Sequence, residues 1–396
     1  MKVLYIAPLI PAISGSGGKR AVFNHLLDVA AVSVAVDFVC IDVESSGQRT
    51  IEGLPSNIRS KIFPRAIGRA GEGIRQKIAG MFQLIASRLP RSVAVVTSPA
   101  AFEYITKLVA ANQYEYIVVE HLNSFALVRH LQLNAPLIYV AQNVESVVLR
   151  DLRLTFSRWS YKYYLTWLEY LKTVWIERAL LARADRTVVI GSADFSYIRG
   201  VAGPEKTRLW PELPVEKDSK WRFTGSKKLL FVGSAAYFPN RDALNWLIDE
   251  LLPALEQIDA SVKLLVAGTG RDAFPDKRFR NIEFEGFVSD QRLAEMHIEC
   301  DLFISPVILG AGIKIKVLEA ASYGMPIAAT EESYRGIAFL STACCFERES
   351  CSTAQLIYAL LTNRDQLTCI SSATLMGLKN AHALRGPLIE KISYEC

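Results

Sequence analysis

The sequence predicts an α/β chain of two doubly wound domains, and three observations carry that prediction. The first is length: 396 residues exceed one ordinary core and suit two domains of roughly 100 to 200 residues each. The second is composition, 51% hydrophobic and 21% charged, which lets both halves bury substantial apolar surface and argues against general disorder. The third is alternation. Short continuous runs of Val, Ile and Leu are separated by longer stretches of helical period, the pattern of parallel strands covered on both faces.

Taken in order, strands are expected in VLYIAPLI, VDFVCIDV, VAVVTSP, YEYIVVEH, LIYVAQNV and RTVVIGS, then in KLLFVGS, VKLLVAGTG, NIEFEGFV, DLFISPVIL and PIAAT, with helices between them. The opening KVLYIAPLIP is too short and too proline-rich for a signal peptide or spanning helix and reads as the first strand. Between the halves lies GPEKTRLWPELPVEKDSKWRFTGSKK, whose prolines and charges break both periods. That places the boundary near residues 212 to 226 and the domains at 1–213 and 214–396, the last helix being free to pack back on the first domain. Ligands of open α/β sheets bind at the carboxyl ends of the strands, so two such domains are expected to face a central cleft.

The seven cysteines are odd in number and scattered, and Cys344, Cys345 and Cys351 lack zinc-type spacing. They read as thiols of a reducing cytoplasm, with no metal site. The net charge of +5 is modest, but Arg59 to Arg91 holds eight basic residues against the single acid Glu72. Such a stretch is either a solvated helical face or an attractor of anionic headgroups, phosphorylated acceptors or nucleic acid.

The strongest chemical signal is SPVILGAGIKIKVLEAASYGMPIAAT, from Ser305 to Thr330. A strand ends near Pro306, a loop carries Gly310 and Gly312, and a helix is expected from about Ile313 to Gly324. Glycines at a strand-to-helix turn let backbone amides approach an anion, and the helix start adds partial positive charge; phosphate is the expected guest. Lys314 and Lys316 fall in the first turn, where cations oppose the helix dipole unless an anion lies nearby. Glu319, within the apolar VLEAA, is placed to accept hydrogen bonds from vicinal ribose hydroxyls.

This run, with FVGSAAYFPNRDALNWLIDELLPAL and EGFVSDQRLAEMHIECDLFISP before it, resembles the donor domain of family 4-type (group 1) glycosyltransferases with the GT-B fold. In the first half, APLIPAISGSGGKRAVFNHL and QNVESVVLRDL resemble the family's glycine-rich first loop and its HNVE segment. The resemblance covers most of the chain and implies a metal-independent, retaining enzyme that moves a sugar from a nucleotide diphosphate sugar, with UDP or GDP as the nucleotide and no cofactor. It implies the donor ribose on Glu319, the diphosphate on Gly310, Gly312, Ile313, Lys314 and Lys316, and the base beside Gly286, Phe287 and Val288. Gly233, Ser234 and Arg241 approach the phosphates, Gly17, Gly18 and Lys19 face the acceptor side with Gln142, Asn143 and Glu145, and His121 lies near the reacting sugar. Lys314, the loop amides and the helix start would stabilise the charge of the leaving diphosphate.

Departures from the family pattern bear on that assignment. The first glutamate of its E-x7-E motif is replaced by Ala311, Asn240 and Arg241 stand where an Arg and a Lys are common, and Gln142 replaces the histidine of HNVE, which excludes a titrating base there. Ala311 and Gln142 leave open a catalytically silent nucleotide-binding scaffold, and a nucleotide-sugar epimerase of the same fold is the enzymatic rival.

The acceptor side is marked by the stretch from Arg150 to Arg186, where Trp159, Tyr161, Tyr163, Tyr164, Trp167, Tyr170 and Trp175 lie among basic residues. That mixture favours a membrane interface, although each ring has an ordinary packing role open to it. With the Arg59 to Arg91 stretch it suggests an anionic membrane surface as a partner, a place on the inner face of the membrane, and a glycan or lipid-linked acceptor in surface polysaccharide assembly. No nucleic-acid module accompanies the basic stretch, so no nucleic-acid partner is expected.

Overall fold

The computed structural model describes residues 1–12, 17–65, 87–274, 281–310, 312–340, 344–386 and 388. Contacts divide the chain into two units: Met1–Glu212 with Gly386–Cys396, and Leu213–Arg385. Each unit has its own sheet and its own hydrophobic core. Both sheets are parallel throughout their described pairings.

The first unit contains β1 (Lys2–Ala7), β2 (Ala35–Asp42), β3 (Ile58–Pro64), β4 (Tyr116–Glu120), β5 (Leu137–Ala141), β6 (Arg186–Val189) and β7 (Thr207–Leu209), in the spatial order β3-β2-β1-β4-β5-β6-β7. Val3 pairs with Val36 on one side and Tyr116 on the other, so β1 is buried on both edges and both faces. Its helices are α1 (Gly17–Ala31), α2 (Arg91–Val96), α3 (Pro99–Ala111), α4 (Glu145–Leu154), α5 (Tyr161–Arg183) and α6 (Ser192–Ala202). Ser98 caps α3 by accepting from Ala101 N–H, and Pro99 opens it, a sequence-encoded helix start.

The second unit orders β8 (Lys228–Val232), β9 (Lys263–Ala267), β10 (Ile282–Gly286), β11 (Leu302–Ser305), β12 (Ile327–Ala329) and β13 (Cys344–Cys345) as β10-β9-β8-β11-β12-β13. Its helices are α7 (Phe238–Trp246), α8 (Leu252–Ile258), α9 (Asp290–Glu299), α10 (Ile315–Ser322), α11 (Glu331–Tyr334), α12 (Ser350–Leu361) and α13 (Arg364–Arg385). In both sheets the strand order reverses beside the first strand, between β1 and β4 and between β8 and β11. Crossovers diverge there and open a crevice at the strand ends.

One expected strand is wrong. VAVVTSP is not in the sheet: Arg91–Val96 is α2, with Val93, Ala94 and Val96 buried. A run this short does not distinguish a strand from a buried helical turn, and tertiary packing overrides the β-propensity of valine. The outer place in the sheet belongs to IRSKIFP, half polar because it is an edge strand, and ending in a proline that an edge tolerates. The short strands β7 and β13 also escape the sequence pattern. In the basic stretch, residues 66–86, including Arg69, Glu72, Arg75 and Lys77, lie outside the described residues.

Candidate active site

The crevice of the second unit is built from four strand ends. After β11, Thr330 and Ser333 hold the backbone: Ser333 Oγ donates to Ser305 O (2.8 Å), and Thr330 Oγ1 donates to Val307 O. Arg348 Nε donates to Pro306 O (2.6 Å) while its Nη1 pairs with Asp242 on α7 (2.7 Å). These contacts fix where the glycine loop leaves the sheet. Gly310 adopts φ +93°, and a Cβ there would lie 3.2 Å from the Tyr237 hydroxyl and 3.4 Å from Pro239, so the residue type is set by backbone conformation and by the approach of α7. On the neighbouring strands, a Cβ on Gly268 would fall 2.1 Å from Gly233 O, and Gly268 N–H donates to Gly286 O (2.8 Å). The ends of β8, β9 and β10 are thereby drawn together.

Residues expected at the donor site therefore gather in one region. Ser234 Oγ hydrogen-bonds Thr269 Oγ1 (2.8 Å) and accepts from Ala236 N–H. Gly233 lies against Asn240, and the Arg241 guanidinium stacks 5.7 Å from the Phe238 ring at the start of α7. Gly286 ends β10, followed by the strongly exposed Phe287 and by Val288, which packs against the core. Gly312 and Ile313 complete the loop, and Ala311 lies outside the described residues.

The lysines depart from expectation. The helix begins at Ile315, two residues later than the pattern suggests, and Lys314 occupies its N-cap. Its ammonium donates to Gly310 O (2.7 Å) and Gly312 O (3.2 Å) and pairs with Glu332 of α11 (3.1 Å). Lys316 pairs with Glu319 at 2.9 Å. The counter-charge that two cations require at a helix start is thus present within the chain. Glu319 itself is buried, not an exposed helical glutamate.

In the first unit a cleft of about 510 Å³ opens at the ends of β1, β2 and β4. Its lining includes Leu9, Val43, Val95, His121, Leu149 and Glu169. His121 has φ +59°, ψ 149°, a conformation that costs a non-glycine residue about 1–3 kcal/mol. Its Nε2 is buried with no hydrogen-bond partner. Burial, assisted by the charge of His25 and opposed by Glu120, lowers its pKa, which leaves the ring neutral at pH 7. Gly17 opens α1, a Cβ on Gly18 would lie 3.9 Å from Leu9 beside the cleft, and Lys19 pairs with Glu44 at 2.6 Å.

Beneath the cleft is a buried charged network absent from the sequence-based expectations. His25 of α1 lies between Glu120 (Nδ1, 2.8 Å) and Glu212 (Nε2, 2.7 Å), with Trp210 edge-on at 5.0 Å. Glu120 also accepts from Tyr5 OH (2.6 Å) and from Gln142 Nε2 (2.5 Å). Burial opposes the charge on His25, yet the two carboxylates outweigh it and raise its pKa to about 10. Burial pushes Glu120 up, but His25 and the hydrogen bonds bring its pKa down on balance. Gln142 is therefore a structural donor to this network. Glu145, at the start of α4, is raised to about 7 by burial, with Glu177 and Asp194 adding to the shift and an Asn143 hydrogen bond opposing it. The missed signals are visible afterwards: a glutamate closing the apolar strand YIVVE and a histidine in the apolar face of α1.

Residues 226–363 match the family model described as Glycosyl transferases group 1. A comparison with curated proteins returns no match. Among solved structures, S. aureus TarM superposes with a TM-score of 0.70 at 11% identity, over 100% of this chain and 99% of that one. Anabaena HepE in complex with UDP-glucose gives 0.63 at 12%, over 99% of each chain. WaaG, a glycosyltransferase involved in lipopolysaccharide biosynthesis, gives 0.59 at 16%, over 97% of this chain and 100% of that one. Two doubly wound units with this topology define the GT-B class of fold. The chain has that fold, and its residues 226–363 carry the match to the group 1 glycosyl transferases.

Proposed function

We propose that the second unit binds a nucleotide diphosphate sugar, UDP or GDP being the nucleotide, and that the sugar passes to a glycan or lipid-linked acceptor held by the first unit. The observation that carries this reading is the approach of the glycine loop at Gly310 to Tyr237 and Pro239 at the start of α7, beside Gly233 and Ser234 at the β8/β11 reversal, within the region that matches the glycosyltransferase family. The anomeric C–O bond to the diphosphate breaks, the nucleoside diphosphate leaves with the bonding pair, and a new bond forms to an acceptor hydroxyl whose proton is released. Loop amides and the start of α10 stabilise the departing charge without a metal, Glu319 holds the ribose, and anomeric configuration is retained. The neutral His121 ring offers its unpartnered Nε2 to a sugar hydroxyl. Solved relatives support the substrate class, since HepE is seen with UDP-glucose and WaaG acts in lipopolysaccharide biosynthesis. Surface polysaccharide assembly at the cytoplasmic face is the corresponding role.

Thermal-shift measurements of wild type and Glu319→Ala against UDP, GDP, ADP, CMP and TDP and their sugars, without added metal, test the donor site. A nucleotide that binds only the folded state stabilises it by about 2.7 kcal/mol at a hundredfold excess over Kd. One nucleotide raising Tm in wild type and losing that effect in Glu319→Ala is the expected result. Absence of any shift at millimolar nucleotide removes the donor reading. It would then favour a silent scaffold, for which the pairing of Lys314 with Glu332 is the structural precedent.

A further inference from the structure

Helix α5 is buried on one side through Thr173, Ile176, Glu177, Leu180 and Leu181. Its other side, with the turn before it, exposes large apolar side chains in a continuous row: Trp159 (96% exposed), Tyr161, Tyr164, Trp167, Leu171 and Trp175 (57%). Single exposed hydrophobics are ordinary in soluble proteins, whereas a contiguous aromatic row on one helix face marks a surface that is covered in use. Positions 161, 164, 171 and 175 recur at helical spacing, so the row is a face and not a scatter.

The charges around it select the occupant. Between Glu145 and Arg183 the exposed charged residues are Arg150, Arg158, Lys162 and Arg178, all cations. The acids are spent elsewhere: Asp151 pairs with Arg150 (2.9 Å), Glu169 takes Lys172 (3.3 Å) and the Arg91 amide (2.6 Å), and Glu177 is buried against Ser146. Tryptophan and tyrosine rings bordered by Arg and Lys suit the headgroup level of an anionic bilayer. Self-association across this face would bring like charges together. No helix among the described residues is long and apolar enough to cross a membrane, which leaves contact in the plane of the surface.

We propose that the outer face of α5, with Trp159, is a docking surface for an anionic lipid bilayer. The inference is independent of the transfer reading. It also has a geometric consequence for it: Leu149 of α4 and Glu169 of α5 line the His121 cleft, so the cleft shares its walls with the docking helices.

The chain contains six tryptophans, and their distribution supplies the test. Trp159, Trp167 and Trp175 lie on the proposed face, whereas Trp210, Trp221 and Trp246 are buried. The full-length protein is mixed with vesicles of phosphatidylcholine alone, or with about 30% phosphatidylglycerol, both carrying brominated acyl chains. Expected are co-sedimentation and tryptophan quenching with the anionic vesicles only, weakened by salt. The triple variant Trp159→Ser, Trp167→Ser, Trp175→Ser should bind at least about tenfold more weakly and lose the quenching while keeping the wild-type Tm. If that variant does not fold, Arg158→Glu with Lys162→Glu provides the second probe and should weaken binding to anionic vesicles by a similar factor. Equal binding to both vesicle types, no binding to either, or a lipid-free dimer that shields these tryptophans from a soluble quencher overturns the proposal. Failure of the transfer reading would appear as absent nucleotide shifts and would leave the vesicle result unchanged.

Discussion

At the scale of single residues, His121 and His25 illustrate opposite uses of one side-chain type. His121 is neutral, strained and partnerless at Nε2 on the wall of a cleft. If the strain is intrinsic to a side chain at positive φ, His121→Gly should relieve about 1 kcal/mol or more and hold or raise Tm, whereas His121→Ala should lower it. Both should reduce sugar transfer at least about tenfold, in keeping with the loss of a positioned polar group. Equal melting temperatures for Gly and Ala would remove the strain argument. His25 is charged and enclosed by two carboxylates, so His25→Leu should cost about 3–5 kcal/mol by leaving buried charges unpaired. Its raised pKa means that the folded state binds the proton more tightly than the unfolded state. The stabilisation is complete below the ordinary histidine value of 6.5 and is lost as pH rises toward about 10. Chemical denaturation of wild type between pH 6.5 and 10 should show this decline, and His25→Leu should not. His121 is readable in the sequence because it ends a strand, but nothing local tells it apart from His25, since protonation here is decided by partners from distant segments.

At the scale of elements, the carboxyl ends of strands concentrate the candidate chemistry, and helix starts tune it. The start of α4 places Glu145 near Glu177 of α5 and Asp194 of α6, which with burial raises its pKa to about 7. A carboxyl whose folded pKa exceeds its unfolded value favours folding less as pH climbs between the two, from about 4.5 to about 7. Glu145→Gln should therefore stabilise the protein by about 1 kcal/mol or more at pH 8, discounted for its partial exposure, and change little at pH 4. Melting curves at the two pH values check the sign. The glycine turn before α10 was legible because glycines and helix period coincide within one segment. The pairing of Lys314 with Glu332 was not, because eighteen positions of sequence separate groups that only the β11–β12 neighbourhood brings together. VAVVTSP erred for a related reason: an apolar run of four residues, Val93 to Val96, satisfies a strand or a helical turn equally, and packing chose the turn.

At the scale of the whole molecule, two units with separate sheets and separate cores imply separable stabilities. Calorimetry should give an unfolding endotherm broader than a single two-state transition, and a bound nucleotide should displace only the component belonging to the second unit. A single two-state peak that moves as one would refute independent folding. The chain leaves the first unit after Glu212, which grips His25, and regains it at Gly386, whose carbonyl accepts from Trp210 Nε1 (3.1 Å). The sequence by itself determined the fold class, most of the sheet strands and the glycine turn before α10, because hydrophobic period and turn chemistry are local properties written in consecutive residues. Tertiary structure alone decided the strand order, the buried His25 network, the internal counter-ions of Lys314 and Lys316, and which tryptophans are buried. Each of these depends on which distant segments become neighbours, and burial and charge pairing acquire their energies only once those neighbours are fixed.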